Sequence, residues 1–389
     1  MLIKRDLQKS LATWLPRREI IFILGARQVG KTSLIRLLQQ ELSNEYLDLE
    51  NPLNLNICES VEQFLAFLSQ KGFDSTERTV CFLDEIQYHP DPTRFLKLLH
   101  DHHSHLKFIV TGSSAFDIRK KVKESLVGRK VTFTLHALNF CEFLRFSAPE
   151  YEQTRKQISL LTAIEDFGAA RRTHVMTPRV LPLFEQFMRF GGYPAIVLEK
   201  DTEIKRTLLR EIFATYVQKD IKDLAHISDP FRFNQLMTFL AVQAANLYKA
   251  DEVAREIRLP QRSVENYVFV LEQTFTLARV RPFFSNVQKE LTKMPKLYFM
   301  DNGLRNAILD DFRELHLRPD LGALAESVCF AELSKAGAPI QKINHWRTAD
   351  GKEIDFVLTL DDKSLLPVEV KYQNHVKPEA PPAMKAFIK

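Results

Sequence analysis

Nowhere in the 389 residues is there a run of about 18 apolar residues, the length that a membrane-crossing helix needs. The opening residues, M-L-I-K-R-D-L-Q-K-S, lack the apolar stretch of a secretory leader, so a cytoplasmic chain with no membrane partner is expected. Cysteine is scarce. Cys58, Cys81, Cys141 and Cys329 stand apart without metal-ligand spacing, and three have the apolar neighbours of buried thiols, so neither zinc nor a disulfide scaffold is indicated. Internal repeats and low-complexity tracts are lacking too, which excludes a repeat array. Charge is nearly balanced at a net +5, a mild basic bias that suits nucleic acid without requiring it. The densest basic run, Arg119, Lys120, Lys121 and Lys123, ending near Arg129 and Lys130, has the composition of a solvated face. The length suggests two or three domains.

What is present begins with the apolar run Ile20 to Leu24, followed by Gly25, Ala26, Arg27, Gln28, Val29, Gly30, Lys31 and Thr32. This G-A-R-Q-V-G-K-T has a glycine at each end of the spacing that lets successive N–H groups turn inward onto phosphate oxygens. Lys31 is placed to reach the β- and γ-phosphates of ATP, and the Thr32 hydroxyl to hold Mg²⁺. From Ser33 to Leu42 apolar residues recur at helical spacing, so the loop opens a helix whose positive end faces the anion. Strand, loop and helix stand in the order that a P-loop requires.

Downstream, Val80-Cys81-Phe82-Leu83 reads as an apolar strand ending in Asp84 and Glu85. Such a pair divides the labour of a Walker B motif: Asp84 serves the Mg²⁺ shell, and Glu85 orients and polarises the water that attacks the γ-phosphate. A third strand, Leu106 to Thr111, ends in T-G-S-S-A. Ligands of open α/β folds sit at such carboxyl ends, so a hydroxyl of Thr111 or Ser113 either touches the γ-phosphate or belongs to a plain turn. Arg129, ahead of the strand-like Val131 to Leu135, is a candidate transition-state arginine of its own or a neighbouring subunit, or else a surface ion pair. The histidines at 100, 102, 103 and 105 are nearly consecutive and read as a helix-to-strand turn rather than a metal site.

Between Ser147 and Arg189 the sequence is polar and irregular, a helical connection plus linker. Gly191-Gly192-Tyr193-Pro194 enforces a tight turn, and Ile204 to Leu224 reads as one long amphipathic helix. Further on, a short helix from Ala250 to Ile257, a turn at Arg258-Leu259-Pro260, a longer helix from Gln261 to Thr274 and a strand from Leu277 to Val280 spell a winged helix-turn-helix. Gln261, Arg262, Ser263 and Asn266 would face a major groove if DNA docked; the same module serves in other proteins as a lid or interaction domain.

The last hundred or so residues carry a second constellation. Two strand-like runs, Glu353 to Leu358 and Leu366 to Tyr372, bring Glu369 and Lys371 to one face by alternation, with Asp355 on the neighbouring strand. Two facing carboxylates can hold Mg²⁺ while a lysine activates or orients water. E-V-K on an alternating strand is otherwise an ordinary exposed edge.

Together, G-A-R-Q-V-G-K-T, Leu47-Asp48-Leu49-Glu50, L-D-E-I-Q, V-T-G-S-S and G-G-Y-P resemble a family of prokaryotic AAA+ ATPases, similar to archaeal-type ATPases, over almost the whole chain. The resemblance implies an α/β architecture: an AAA+ P-loop module at 1–190, a winged helix at 191–295 and a restriction-endonuclease-like α/β domain at 296–389. In that last domain Asp355, Glu369 and Lys371 match the D…E-x-K signature, and Glu326 takes the place of the accessory metal-binding acid. The implied cofactors are ATP and Mg²⁺, and the implied partners are DNA, branched or single-stranded, and further copies of the chain. Two functions stay open. One is an ATP-hydrolysing protein that acts on DNA, with a C-terminal domain that cuts or binds an unusual DNA structure. The other is a nucleotide-switched regulatory ATPase whose C-terminal domain binds a protein partner.

Overall fold

The computed structural model describes all residues except 1, 41, 43, 74–76, 113–125, 152–176, 217–228, 285, 287, 289, 291, 292, 349, 374–380 and 389. Two compact units emerge: 1–136 with 273–275, and 137–272 with 276–389.

In the first unit five strands form one sheet: β1 (Ile20–Leu24), β2 (Asn44–Asp48), β3 (Thr79–Asp84), β4 (Leu106–Gly112) and β5 (Lys130–Thr134). The spatial order is β2-β3-β4-β1-β5 and every pairing is parallel, so all carboxyl ends share one edge. β1, β3 and β4 are buried along their whole lengths, which explains why their centres read as continuous apolar runs rather than alternating ones, Lys107 of β4 being a buried exception. Helices 31–39, 61–70 and 92–102 each bury an apolar stripe, led by Leu34, Phe64 and Leu96.

The second unit contains the expected helix-turn-helix. Helices Pro230–Val242, Ala250–Glu256 and Gln261–Gln273 precede a hairpin of β6 (Leu277–Val280) and β7 (Lys296–Phe299). Phe233, Leu240, Val253, Val264, Leu271, Leu277 and Phe299 share one core, which makes the three helices and the wing a single packing unit. β7, on the far side of the boundary expected at 295/296, thus completes the wing. After the helix Leu321–Ala336 come β8 (Ile340–Arg347), β9 (Glu353–Leu360) and β10 (Leu365–Val368), an antiparallel sheet in the order β10-β9-β8. β8 carries no sequence signal. Its burial is uneven and its register shifts twice, so no clean alternation marks it. The long helix expected to reach Leu224 is described only as Thr202–Tyr216.

The boundary expected at 190/191 also falls inside this unit, where the Asn306 amide donates to the Arg189 carbonyl at 2.8 Å across it, and a buried carboxylate ties the following turn to the same helix. Asp301 accepts the Gly192 N–H at 2.7 Å and the Leu304 N–H at 3.1 Å, joining the G-G-Y-P turn to a helix 109 positions further along the chain. Gly191 has φ +73°, and a Cβ there would stand 2.0 Å from Asp301 Oδ1, so the turn accepts no side chain. Gly192 in turn accepts the Leu138 N–H through its carbonyl at 2.7 Å. Asp301→Ala leaves those N–H groups buried without acceptors, an expected loss of about 3 kcal/mol that a urea titration of the whole chain would read.

Candidate functional site

At the carboxyl edge of the first sheet, Gly25 to Thr32 leaves β1 and enters the helix Lys31–Gln39. Gln28 and Gly30 both have left-handed backbones, φ +61° and +96°, which curls the loop into a concavity of the kind that holds phosphate. Gly25 is required by close approach, since a Cβ would lie 2.1 Å from the Leu135 carbonyl oxygen. Lys31 is buried, and its Nζ donates to the carbonyls of Gly25 and Ala26 at 3.0 Å each. Ser33 is exposed on the following turn. Beneath the loop the buried Arg5 donates to the Val29 and His136 carbonyls, both at 2.7 Å. Sequence reasoning passed over Arg5 because its partners lie far along the chain.

The carboxylate of Asp84, buried at the end of β3, collects three hydroxyl donors. Thr32 Oγ1 reaches its Oδ2 at 2.7 Å, Tyr46 OH reaches the same oxygen at 2.9 Å, and Thr111 Oγ1 donates to Oδ1. Burial, with Asp84 close by, raises the pKa of the Tyr46 phenol. An all-oxygen set of the Thr32 hydroxyl and the Asp84 carboxylate, joined to each other, suits a hard divalent cation. Glu85 follows in a left-handed conformation, φ +54°. Its N–H donates to Thr111 Oγ1 at 3.1 Å, and its carboxylate accepts from the Gln87 side-chain amide.

Two expectations change here. Thr111 is fully buried and its hydroxyl joins Asp84 to the Glu85 backbone, so it supports the Walker B pair from below instead of touching phosphate. Ser113 and the basic run from Arg119 to Lys123 lie outside the described residues. Arg129 stands at the opposite edge. Its carbonyl accepts the N–H of Ile20, the first residue of β1, and its guanidinium grips Asp101 at 2.7 and 3.1 Å, holding that carboxyl well below the usual range. A strand length of roughly 15 Å separates that edge from the P-loop, which removes Arg129 from the site of its own subunit. Position was the available signal: a residue that precedes a parallel strand lies away from the ligand edge. The nearby histidines close the helix Pro92–His102 and the turn into β4. His100 pairs with Asp101 at 3.1 Å, and the rings of His103 and His105 meet edge to face.

In the second unit, Gln261, Arg262 and Asn266 are exposed at the start of their helix and Ser263 is half-buried, while Val264, Tyr267 and Val268 turn into the core. A solvent-facing polar end on an anchored helix is the geometry that a groove reader needs.

The C-terminal acids also gather. β9 and β10 pair up to Val368↔Phe356, and just beyond, Asp355 Oδ2 accepts the Val370 N–H at 2.8 Å. Burial first, then the charges of Glu326 and Glu369, push the Asp355 carboxyl up to about 6. Glu369 pairs with Lys371 at 2.6 Å. Glu326 takes the Lys296 ammonium at 2.9 Å and the Tyr298 hydroxyl at 2.5 Å, and Lys296 also bridges to Glu353. Lys296 and Tyr298, both on β7, were not foreseen. Among the described residues no group of three or more His, Cys, Asp or Glu side chains has metal-binding geometry. The expected ligand trio of Glu326, Asp355 and Glu369 is thus close enough for mutual repulsion, with two of its members held by lysines.

Residues 17–144 match the family described as "AAA domain", whereas 181–315 and 321–389 match two domains of unknown function, DUF8612 and DUF4143. An uncharacterized protein of Mycobacterium tuberculosis is 25% identical over 363 residues, covering 92% of this chain and 72% of its own length. One of Haemophilus influenzae is 24% identical over 367 residues, covering 90% and 82% respectively. Among solved structures, the Walker-type ATPase of Pyrococcus abyssi superposes with a TM-score of 0.52 at 13% identity, over 79% of this chain and 96% of that one.

Proposed function

We propose, for a chain that is an ATPase built on an AAA-type P-loop domain, that nucleotide turnover governs engagement of DNA by the winged helix. At the nucleotide, Lys31 and the loop N–H groups neutralise the phosphates, and Glu85 orients the attacking water. Thr32 and Asp84 would hold Mg²⁺, whose chemistry is to offset charge between the β- and γ-phosphates. Lys31 and Glu85 then supply what the chain itself contributes to the transfer: charge at the phosphates and a base beside the water.

The observation that carries the DNA reading is the exposed start of the helix Gln261–Gln273, with Arg262 flanked by Gln261 and Asn266 and the wing packed behind it. Arg258, also exposed, lies on the turn ahead of that helix. Arg262→Ala should weaken duplex binding by about 5- to 100-fold if it meets a base edge, and less for a phosphate alone. Fluorescence anisotropy across a salt series provides the check: affinity should fall steeply with salt through counterion release, and salt-indifferent affinity would contradict the reading.

For the C-terminal cluster the reading is a DNA-structure site in which Asp355 and Glu369 would hold Mg²⁺, which would supply charge at a phosphate, and Lys371 would orient water. Scoring branched and single-stranded DNA with Mg²⁺ tests it: strand scission is expected, and Lys371→Ala should reduce it at least about 100-fold. One observation favours a second reading. Lys296 already bridges Glu326 and Glu353, and Lys371 takes one oxygen of Glu369, as they would in a non-cleaving domain that binds a partner. Intact DNA under every metal and nucleotide condition would select that alternative.

A further inference from the structure

Asp84 has about four lone-pair positions on its two oxygens, and hydroxyls of this unit fill three of them. Two of the three donors are placed by the motifs themselves: Thr32 by the P-loop, and Thr111 by the strand beside β3. The third comes from β2. Tyr46 pairs in register with Phe82, one diagonal step from Asp84, and lays its half-buried ring so that the hydroxyl lands on Oδ2 at 2.9 Å. That oxygen is the one Thr32 also uses, at 2.7 Å. A carboxylate pinned at both oxygens by side chains from three elements cannot rotate, and its remaining position is fixed in direction.

We infer that Tyr46 is a positioning residue of the nucleotide site, holding the Asp84 carboxylate in the orientation that receives the cation accompanying ATP. The inference rests on the ATPase reading and adds to it a residue that no nucleotide-binding motif contains. Outer hydrogen bonds of this kind fix ligand direction and set ligand basicity, and losing one typically weakens metal affinity by about 10- to 100-fold. Tyr46 touches neither phosphate nor water in this arrangement, so its effect passes through Asp84.

The test is equilibrium binding of a fluorescent ATP analogue to the full-length chain across a Mg²⁺ titration. Tyr46→Phe removes one oxygen and keeps the ring. The Mg²⁺ concentration for half-maximal enhancement of binding should rise about 10-fold, while affinity measured in excess chelator stays at the wild-type value. In an Asp84→Asn background the same substitution should add no further shift, because the contact it removes acts through that carboxylate. Coincident Mg²⁺ titrations for Tyr46→Phe and wild type would overturn the inference. So would equal losses with and without Mg²⁺, the signature of a role in folding only, or full additivity with Asp84→Asn. A wild-type chain that binds the analogue without any response to Mg²⁺ would overturn the metal reading itself, an outcome distinguishable because it precedes any substitution.

Discussion

Lys31→Ala should lower ATP hydrolysis by on the order of 10²- to 10³-fold and weaken nucleotide binding together with it. The side chain is 5% exposed, and its ammonium lies within a loop whose carbonyls hold it at 3.0 Å. A buried ammonium inside a loop curled from Gln28 to Gly30 is placed to meet an anion. Alanine keeps the helix start and the Thr32 contact to Asp84, so thermal melting should stay near wild type. Phosphate release and analogue binding measured on one preparation separate loss of function from loss of fold. Wild-type turnover in this variant would remove the P-loop assignment.

Glu85→Gln should produce a different failure. Turnover should fall by about 10²- to 10⁴-fold, the usual worth of a positioned general base, while ATP affinity is retained. The residue occupies a left-handed backbone position, held by its N–H on Thr111 Oγ1 and by the Gln87 amide on its carboxylate. A non-glycine residue in that conformation carries strain that the surrounding contacts must offset, a feature that concentrates at reactive sites. Glutamine preserves shape and removes the negative charge that polarises water. Rapid gel filtration after incubation with labelled ATP should recover bound, unhydrolysed nucleotide with Glu85→Gln and very little with Lys31→Ala. Equal retention by the two variants would show that the roles are not divided in this way.

Much of the first unit could be read from residue order, because a strand, a glycine-bounded loop and a helix leave little freedom in local geometry. The same holds for Asp84 and Glu85 at the end of a fully apolar run. What failed was direction. Strand spacing placed Thr111 at the ligand edge but gave no sign that its hydroxyl turns down onto Asp84 and the Glu85 N–H. The charge of Arg129 suggests a transition-state role, but its place ahead of β5 puts it at the far edge beside Asp101.

Contacts between distant parts of the chain were beyond reach. Tyr46 meets Asp84 through the parallel register of β2 and β3, and Arg5 supports Val29 from a segment with no motif. Asp301 closes the Gly191-Gly192 turn from a helix 109 residues on, a contact that no local pattern announces. In the C-terminal cluster, β10 ends at Val368, so Glu369 and Lys371 lie beyond the strand whose alternation was expected to carry them, and Asp355 meets that segment through the Val370 N–H. Lys296 and Tyr298 arrive from β7, a strand whose pairing with β6 no local pattern announced.

The central claim, that ATP turnover serves an action on DNA, is tested most directly by the steady-state ATPase rate of the full-length chain with Mg²⁺, measured without DNA and with single-stranded, duplex or branched DNA. The account predicts a rate that rises with at least one DNA form, with the stimulation lost in Arg262→Ala while the basal rate holds. A basal rate unchanged by every DNA form would contradict it.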